Sequence, residues 1–152
     1  MPIYYHVSTV THPPGFVIPH GRFGSLFTNR PATVEDGFVM TWEAVLETAR
    51  RLVAPTAPSR LNCLFACDTL SAAKTFQSNY RKAGTILKVE VGIEVPTFSG
   101  SFDLISFAQG GSFIERWASN AIQYWGEPHD GMVEVVIGGP VTVVGPIFEG
   151  EV

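Results

Sequence analysis

Apolar residues recur along the chain at two periods, and the switches between them mark out its elements. Ile3 to Val10, IYYHVSTV, is β-branched and aromatic and predicts a strand. HPPGFVIPHGRFG follows with three prolines and three glycines, which predicts a shaped loop. Phe38, Val39, Trp42, Val45, Leu46, Ala49, Leu52 and Val53 then recur at helical spacing. Thr33 and Asp36 supply a start signal for that helix, and Pro55 and Pro58 stop it. RLNCLFAC is short and nearly continuously apolar, as a strand buried on both faces is. Asp68 or Thr69 can cap a second helix with Leu70, Ala73, Phe76 and Tyr80 on one side. TILKVEVGIEV alternates as one long half-buried strand. After a loop bearing Gly100, Gly110 and Gly111, Ser112 and Glu115 form a capping box. The helix it opens carries Phe113, Trp117, Ala121, Ile122 and Trp125. MVEVVIGGPVTVVGPIFEGEV reads as two or three strands around a Gly-Gly-Pro turn.

Strands cluster at the end and do not alternate strictly with helices. The expected fold class is therefore α+β with a mixed sheet and about three helices, in a single domain over 1–152. Neither G-x-G-x-x-G nor G-x-x-x-x-G-K-[ST] occurs, so any dinucleotide would be bound without a Rossmann turn or a P-loop.

Composition narrows the partners. Hydrophobic residues make up 45% and charged ones 16%, far from a disordered tail. The net charge of −4 gives no global nucleic-acid footprint. No apolar run is long enough to span a bilayer, and MPIYYHVSTV has no positive segment leading into an apolar one. The expectation is a cytoplasmic protein, or one acting in a host cytoplasm, with no membrane partner. Cys63 and Cys67, four apart on a strand, are too distant to bridge each other and read as reduced core residues. The four histidines, His6, His12, His20 and His129, lack metal-ligand spacing, so no metal is expected.

Three segments carry the candidate chemistry. Tyr4-Tyr5-His6-Val7-Ser8 sets a histidine inside a strand, with Gly21-Arg22-Phe23-Gly24 further on. Leu64-Phe65-Ala66-Cys67-Asp68 leads into the helix bearing Phe76 and Tyr80. Val133-Glu134-Val135-Val136 embeds a carboxylate in an apolar strand. Taken singly, a strand histidine is more often structural, and rings at strand and helix spacing are more often plain core. A glutamate at such a position points outward, or, facing a cleft, is a functional carboxylate.

In combination and in order, these segments resemble the ADP-ribosyltransferase superfamily, in the His-Tyr-Glu branch that includes poly(ADP-ribose) polymerases and rifampin-modifying enzymes. YYHVS looks like the first strand, which puts His6 in the place of the histidine that fixes the nicotinamide ribose, with Ser8 beside it. FACDTLSAAKTF is similar to the strand–helix unit whose rings clamp nicotinamide, with Phe65 for the tyrosine and Phe76 for the second ring; Tyr80 lies on the same helix. Phenylalanine keeps the stacking face and loses the hydroxyl. Glu134 in VEVVIGGPVTVV matches the branch's late-strand catalytic glutamate. Met132, two residues earlier, stands where arginine-specific enzymes carry a second Glu or Gln, so the resemblance disfavours an arginine acceptor. HGRFG is similar to a cofactor-meeting loop in the rifampin-type enzymes, with Arg22 suited to a diphosphate, and Arg60 in PSR offers another phosphate or ribose contact. AIQYWGE together with PSR also resembles small uncharacterised bacterial and phage proteins of this superfamily.

The resemblance implies a split mixed β-sheet of two packed sheets. It also implies transfer of ADP-ribose from NAD⁺, the substrate and only cofactor, to a protein, nucleic-acid or small-molecule acceptor, with nicotinamide released. A small protein of this kind suits a toxin or a phage–host conflict factor. Glu134 is the expected catalytic carboxylate, with Glu149, Glu151 and then Asp103 behind it. The same-fold alternatives are an NAD⁺ glycohydrolase and an RNA 2′-phosphotransferase, the latter disfavoured by the lack of a clustered basic set. The alternative from another class is a non-catalytic binding module.

Overall fold

The computed structural model describes residues 1–29, 33–34, 36–106, 114–126, 131–148 and 150–151. Ser112 of the expected Ser112–Glu115 capping box, Phe113, His129 and Glu149 lie outside the described residues. Seven strands are described: β1 Ile3–Ser8, β2 Val17–Ile18, β3 Leu64–Cys67, β4 Thr85–Val91, β5 Thr97–Ser101, β6 Val133–Ile137 and β7 Val141–Pro146. With them run α1 Arg22–Thr28, α2 Gly37–Val53, α3 Leu70–Tyr80, α4 Phe102–Ile105 and α5 Ile114–Gly126. The α+β class follows directly, and the three helices expected from periodicity are α2, α3 and α5.

The strands form one sheet in the order β2-β7-β4-β1-β3-β6-β5, and every pairing is antiparallel. This corrects the expected mixed sheet in two packed parts. The β3–α3–β4 crossover gives two strands running the same way, but β1 lies between them and pairs antiparallel with both. A trace of the division remains. Only Tyr5↔Cys67 joins β1 to β3, whereas β1 matches β4 along six residue pairs from Ile3↔Glu90 to Ser8↔Thr85. The apolar residues of one face, Leu64, Ala66, Val135 and Ile137 from one side of that seam and Leu87, Val89, Val91, Val141 and Val143 from the other, form a single buried cluster. The halves therefore bury this face against each other.

The helices cover the opposite face. Trp42, Leu46 and Ala49 of α2 pack with Ala121, Tyr124 and Trp125 of α5 over Val136. Trp125 Nε1 donates to the Leu46 carbonyl at 2.8 Å, joining α5 to α2, and Trp42 Nε1 donates to the Ile105 carbonyl of α4 at 3.2 Å. Complete burial of a leucine such as Leu46 contributes about 1.5–3 kcal/mol. Over β1, β3 and β4, Leu70 and Ala73 of α3 meet Val7, Cys67 and Ile86. Thr69 caps α3 through the Ala72 amide at 3.1 Å.

Several elements depart from the pattern-based expectation, β2 and α4 among them. The glycine- and proline-rich loop contains α1, whose Gly24 lies against the Leu61 backbone, where a Cβ would come within 1.7 Å of the carbonyl oxygen. The long strand from Thr85 ends at Val91, and a turn delivers β5, TFSGS, to the free edge of β6. No described helix is long and apolar enough to cross a membrane.

Candidate functional site

The three candidate segments occupy adjacent strands at the middle of the sheet: His6 on β1, Phe65 on β3 and Glu134 on β6. Phe65 stands opposite Val136, and Cys67 opposite Glu134. Side chains alternate along a strand, so Phe65, Cys67, Glu134 and Val136 share the helix-covered face. His6, partnered by Leu87, projects from the other.

Glu134 is 7% exposed and lies in a closed polar cluster under α2 and α5. Arg60 Nη1 and the Tyr124 hydroxyl both donate to its Oε1, the latter across 2.5 Å. The same Arg60 nitrogen reaches the Tyr124 oxygen at 3.1 Å. The other edge of the guanidinium grips Glu43 of α2, Nε to Oε2 at 2.9 Å and Nη2 to Oε1 at 3.0 Å. Its face covers the Phe65 ring at 4.6 Å from the centroid, a cation–π contact. Burial opposes the charge on Arg60, yet the carboxylates of Glu134 and Glu43 overcome it and hold the group well above its ordinary value. Burial and the neighbouring Glu134 carboxylate raise the Tyr124 phenol well above its ordinary value, so it stays a neutral donor. Glu134 Oε2 takes no hydrogen bond among the described residues.

Local structure aims Arg60 into this cluster. Pro55 follows the end of α2, and Arg50 ties the chain after it through the Pro55 and Ala57 carbonyls. Ser59 donates to Glu47 at 2.9 Å and accepts from the Leu61 amide at 3.2 Å, opening the 3₁₀ turn Arg60–Asn62. Gly100 of β5 gives Tyr124 its room; a Cβ there would lie 2.4 Å from the ring.

His6 works at the seam. Its Nδ1 meets the Phe65 carbonyl at 2.7 Å, next to the single residue pair that joins β1 to β3. Acting as donor, Nδ1 leaves Nε2 as an acceptor. Burial lowers the imidazole's pKa, aided by the charges of Arg81 and His12, while the bond to Phe65 opposes the shift.

The remaining expected site residues scatter. Ser8 is buried in a local turn with Val10, its Oγ donating to the Val10 carbonyl at 2.6 Å. Arg22 is exposed at the start of α1. Phe76 packs with Tyr80 and Phe102 at centroid distances of 5.2 and 5.6 Å, while Phe65 meets Phe23 at 5.3 Å. Tyr80 is half exposed, its hydroxyl 3.3 Å from Ser106 Oγ. Asp103, exposed on α4, accepts from the Met132 amide, and the Glu151 carbonyl accepts from Lys74.

Arg60 is the clearest departure from the sequence-based expectation. Enclosed by Glu43, Glu134, Tyr124 and Phe65, it has no edge left for a cofactor phosphate. Glu43 and Tyr124 were not among the expected residues. The signal for Glu43 was a charge beside Trp42 on the apolar stripe of α2; for Tyr124 it was the position three after Ala121 in α5. Cys63 and Cys67 are both free and buried. Among the described residues, no group of three or more His, Cys, Asp or Glu side chains is placed to hold a metal.

A family model described as a protein of unknown function, DUF2441, matches residues 30–149. The match covers the Arg60, Phe65, Tyr124 and Glu134 segments and begins after the His6 strand. None of the curated proteins matches the chain.

Proposed function

We propose that this chain, which belongs to the DUF2441 family, is an NAD⁺-dependent mono-ADP-ribosyltransferase with Glu134 as its catalytic carboxylate. One observation carries the reading: segments 59 residues apart along the chain meet at His6 and Phe65, and the next strand of the sheet bears Glu134. The order that suggested the chemistry is thus also a spatial neighbourhood.

Cleavage of the nicotinamide–ribose bond sends the bonding electrons out with nicotinamide and leaves positive charge on the ribose. A carboxylate beside that carbon stabilises it until the acceptor attacks. Arg60 and Tyr124 hold Glu134 by Oε1, and this reading assigns Oε2 to the ribose once the closed cluster under α2 and α5 opens. Phe65 lies on the same face as Glu134, and His6, on the opposite face, positions the Phe65 strand through its bond to the Phe65 carbonyl. The acceptor substrate is a protein, nucleic acid or small molecule. Hydrolysis of NAD⁺ uses the same residues with water as the acceptor.

A second reading, a binding module that keeps the fold without the reaction, draws on a different observation. His6 projects from the opposite face to Phe65 and Glu134, and the Arg60 charge already neutralises the carboxylate. Incubating the full chain with NAD⁺ and measuring free nicotinamide separates the two. The transferase reading expects release that falls by about a hundredfold or more in Glu134→Gln. Release unchanged in that variant removes Glu134 as the catalytic group, and NAD⁺ binding without release in the wild type favours the module.

A further inference from the structure

If Arg60 is spent on carboxylates, an anionic dinucleotide needs cations elsewhere, and the described surface offers a pair. We propose that the C-terminal end of α3 is a binding site for the diphosphate of a nucleotide, with Arg81 and Lys82 as its cations and Tyr80 as a stacking ring. An open surface hollow of about 520 Å³ is lined there by Thr9, Tyr80, Arg81, Lys82, Ala83 and Gly84. A neighbouring hollow of about 300 Å³ shares Lys82 and adds Gln77 and Ser78. Among the described residues, no carboxylate lines either space.

Charge accounting sets this end of α3 apart. Arg50 and Arg51 pair with Glu47, and Arg60 with Glu43 and Glu134. Arg81 and Lys82 are exposed, consecutive, and make no ion pair among the described residues, on a chain whose net charge is −4. Two consecutive exposed cations can both donate charge-assisted hydrogen bonds to one diphosphate. The turn beneath them is ordered: the Gly84 amide donates to the Arg81 carbonyl at 2.8 Å, and Gln77 Nε2 to the Gly84 carbonyl at 2.7 Å. The hollow is therefore presented by a hydrogen-bonded turn at the end of a helix.

Two further features fit a nucleotide better than a simple anion. Tyr80, 48% exposed, is held by Phe76, Phe102 and Ser106 and leaves ring surface toward solvent for a base. The Arg81 charge reaches His6, which places this hollow near the β1–β3 seam. Thr9 adds a hydroxyl one residue beyond β1.

This site rests on the NAD⁺ reading for the identity of its ligand, but its test needs no turnover. ADP and adenosine are titrated calorimetrically into the full chain and into Arg81→Gln/Lys82→Gln, whose folding is checked by circular dichroism. The expected result is ADP binding that weakens about tenfold or more in the double variant, with adenosine indifferent to the change. Inorganic pyrophosphate should compete with ADP for the wild type only. Failure of ADP to bind the wild type, or equal affinity in both proteins, overturns the site. If ADP binds as expected while nicotinamide release is absent, the diphosphate site stands and the reaction alone is lost.

Discussion

The Tyr124 hydroxyl donates to Oε1 of Glu134 across 2.5 Å, from a helix to a strand ten residues further along the chain. Both side chains are buried, and Arg60 lies against both. Tyr124 therefore restrains the carboxylate that the proposed chemistry uses, and it bonds the α5 layer to the sheet. Tyr124→Phe keeps the ring over Gly100 and removes only the hydroxyl. It should destabilise the protein by about 1–3 kcal/mol in urea unfolding, the cost of an unmade buried hydrogen bond.

Arg60 stands between two carboxylates, so its loss is worse than the loss of either. Arg60→Met leaves Glu43 and Glu134 facing each other without a cation and should cost about 3–5 kcal/mol. Glu43→Gln and Glu134→Gln each keep an acceptor and one carboxylate for the guanidinium, and should cost less. Denaturant midpoints of the three variants check the order. Equal losses would contradict the central position of Arg60.

The seam at His6 makes stability depend on pH. Its folded pKa lies below the ordinary 6.5, chiefly through burial. Between the two values the unfolded chain binds the proton and the folded one does not, so stability rises with pH across that window. This contribution is complete above about 6.5 and is lost as pH falls toward the folded value. His6→Gln should flatten that part of the profile when melting temperatures are compared at pH 5 and pH 7.5.

The cysteines should be inert in the native state. Burial, then the nearby Glu134 and Asp68 charges, pushes Cys67 up to about 12, and burial raises Cys63 as well. The thiolate is the nucleophile, so neither should react with a disulfide reagent at pH 8, and both should react in denaturant. Fast labelling of the folded protein would show that the sheet opens near Glu134.

Two glycines predict opposite responses to the same methyl. Gly24→Ala drives a Cβ into the Leu61 backbone and should destabilise the α1 contact by about 1–3 kcal/mol. Gly37→Ala meets nothing within 4 Å at the start of α2 and should be neutral, or stabilising by about 0.5–1 kcal/mol. Thermal melts of both variants decide it.

The legible parts of the fold were those where local pattern and tertiary packing agree. The Phe38–Val53 periodicity, the Thr69 cap and the alternation of β4 each carried its element. Gly21 and Gly24 disguised α1, because Gly24 is required by close approach to Leu61 rather than by helix propensity. β5 was hidden because TFSGS has little strand pattern of its own and depends on pairing with β6. A one-sheet arrangement with a seam at Tyr5↔Cys67 could not be read from any single segment, since it depends on which strands meet. In the candidate site, the order of His6, Phe65 and Glu134 carried the neighbourhood. The occupation of Arg60 depended on Glu43, a residue from another helix, and was invisible in sequence spacing.

The most direct test of the account is amide chemical-shift mapping of the ¹⁵N-labelled full chain during NAD⁺ titration. The account predicts saturable shifts that converge on the His6, Phe65–Cys67 and Glu134 strands, together with Tyr80 to Gly84. No shifts at millimolar NAD⁺, or shifts confined to surfaces away from those strands, would contradict it.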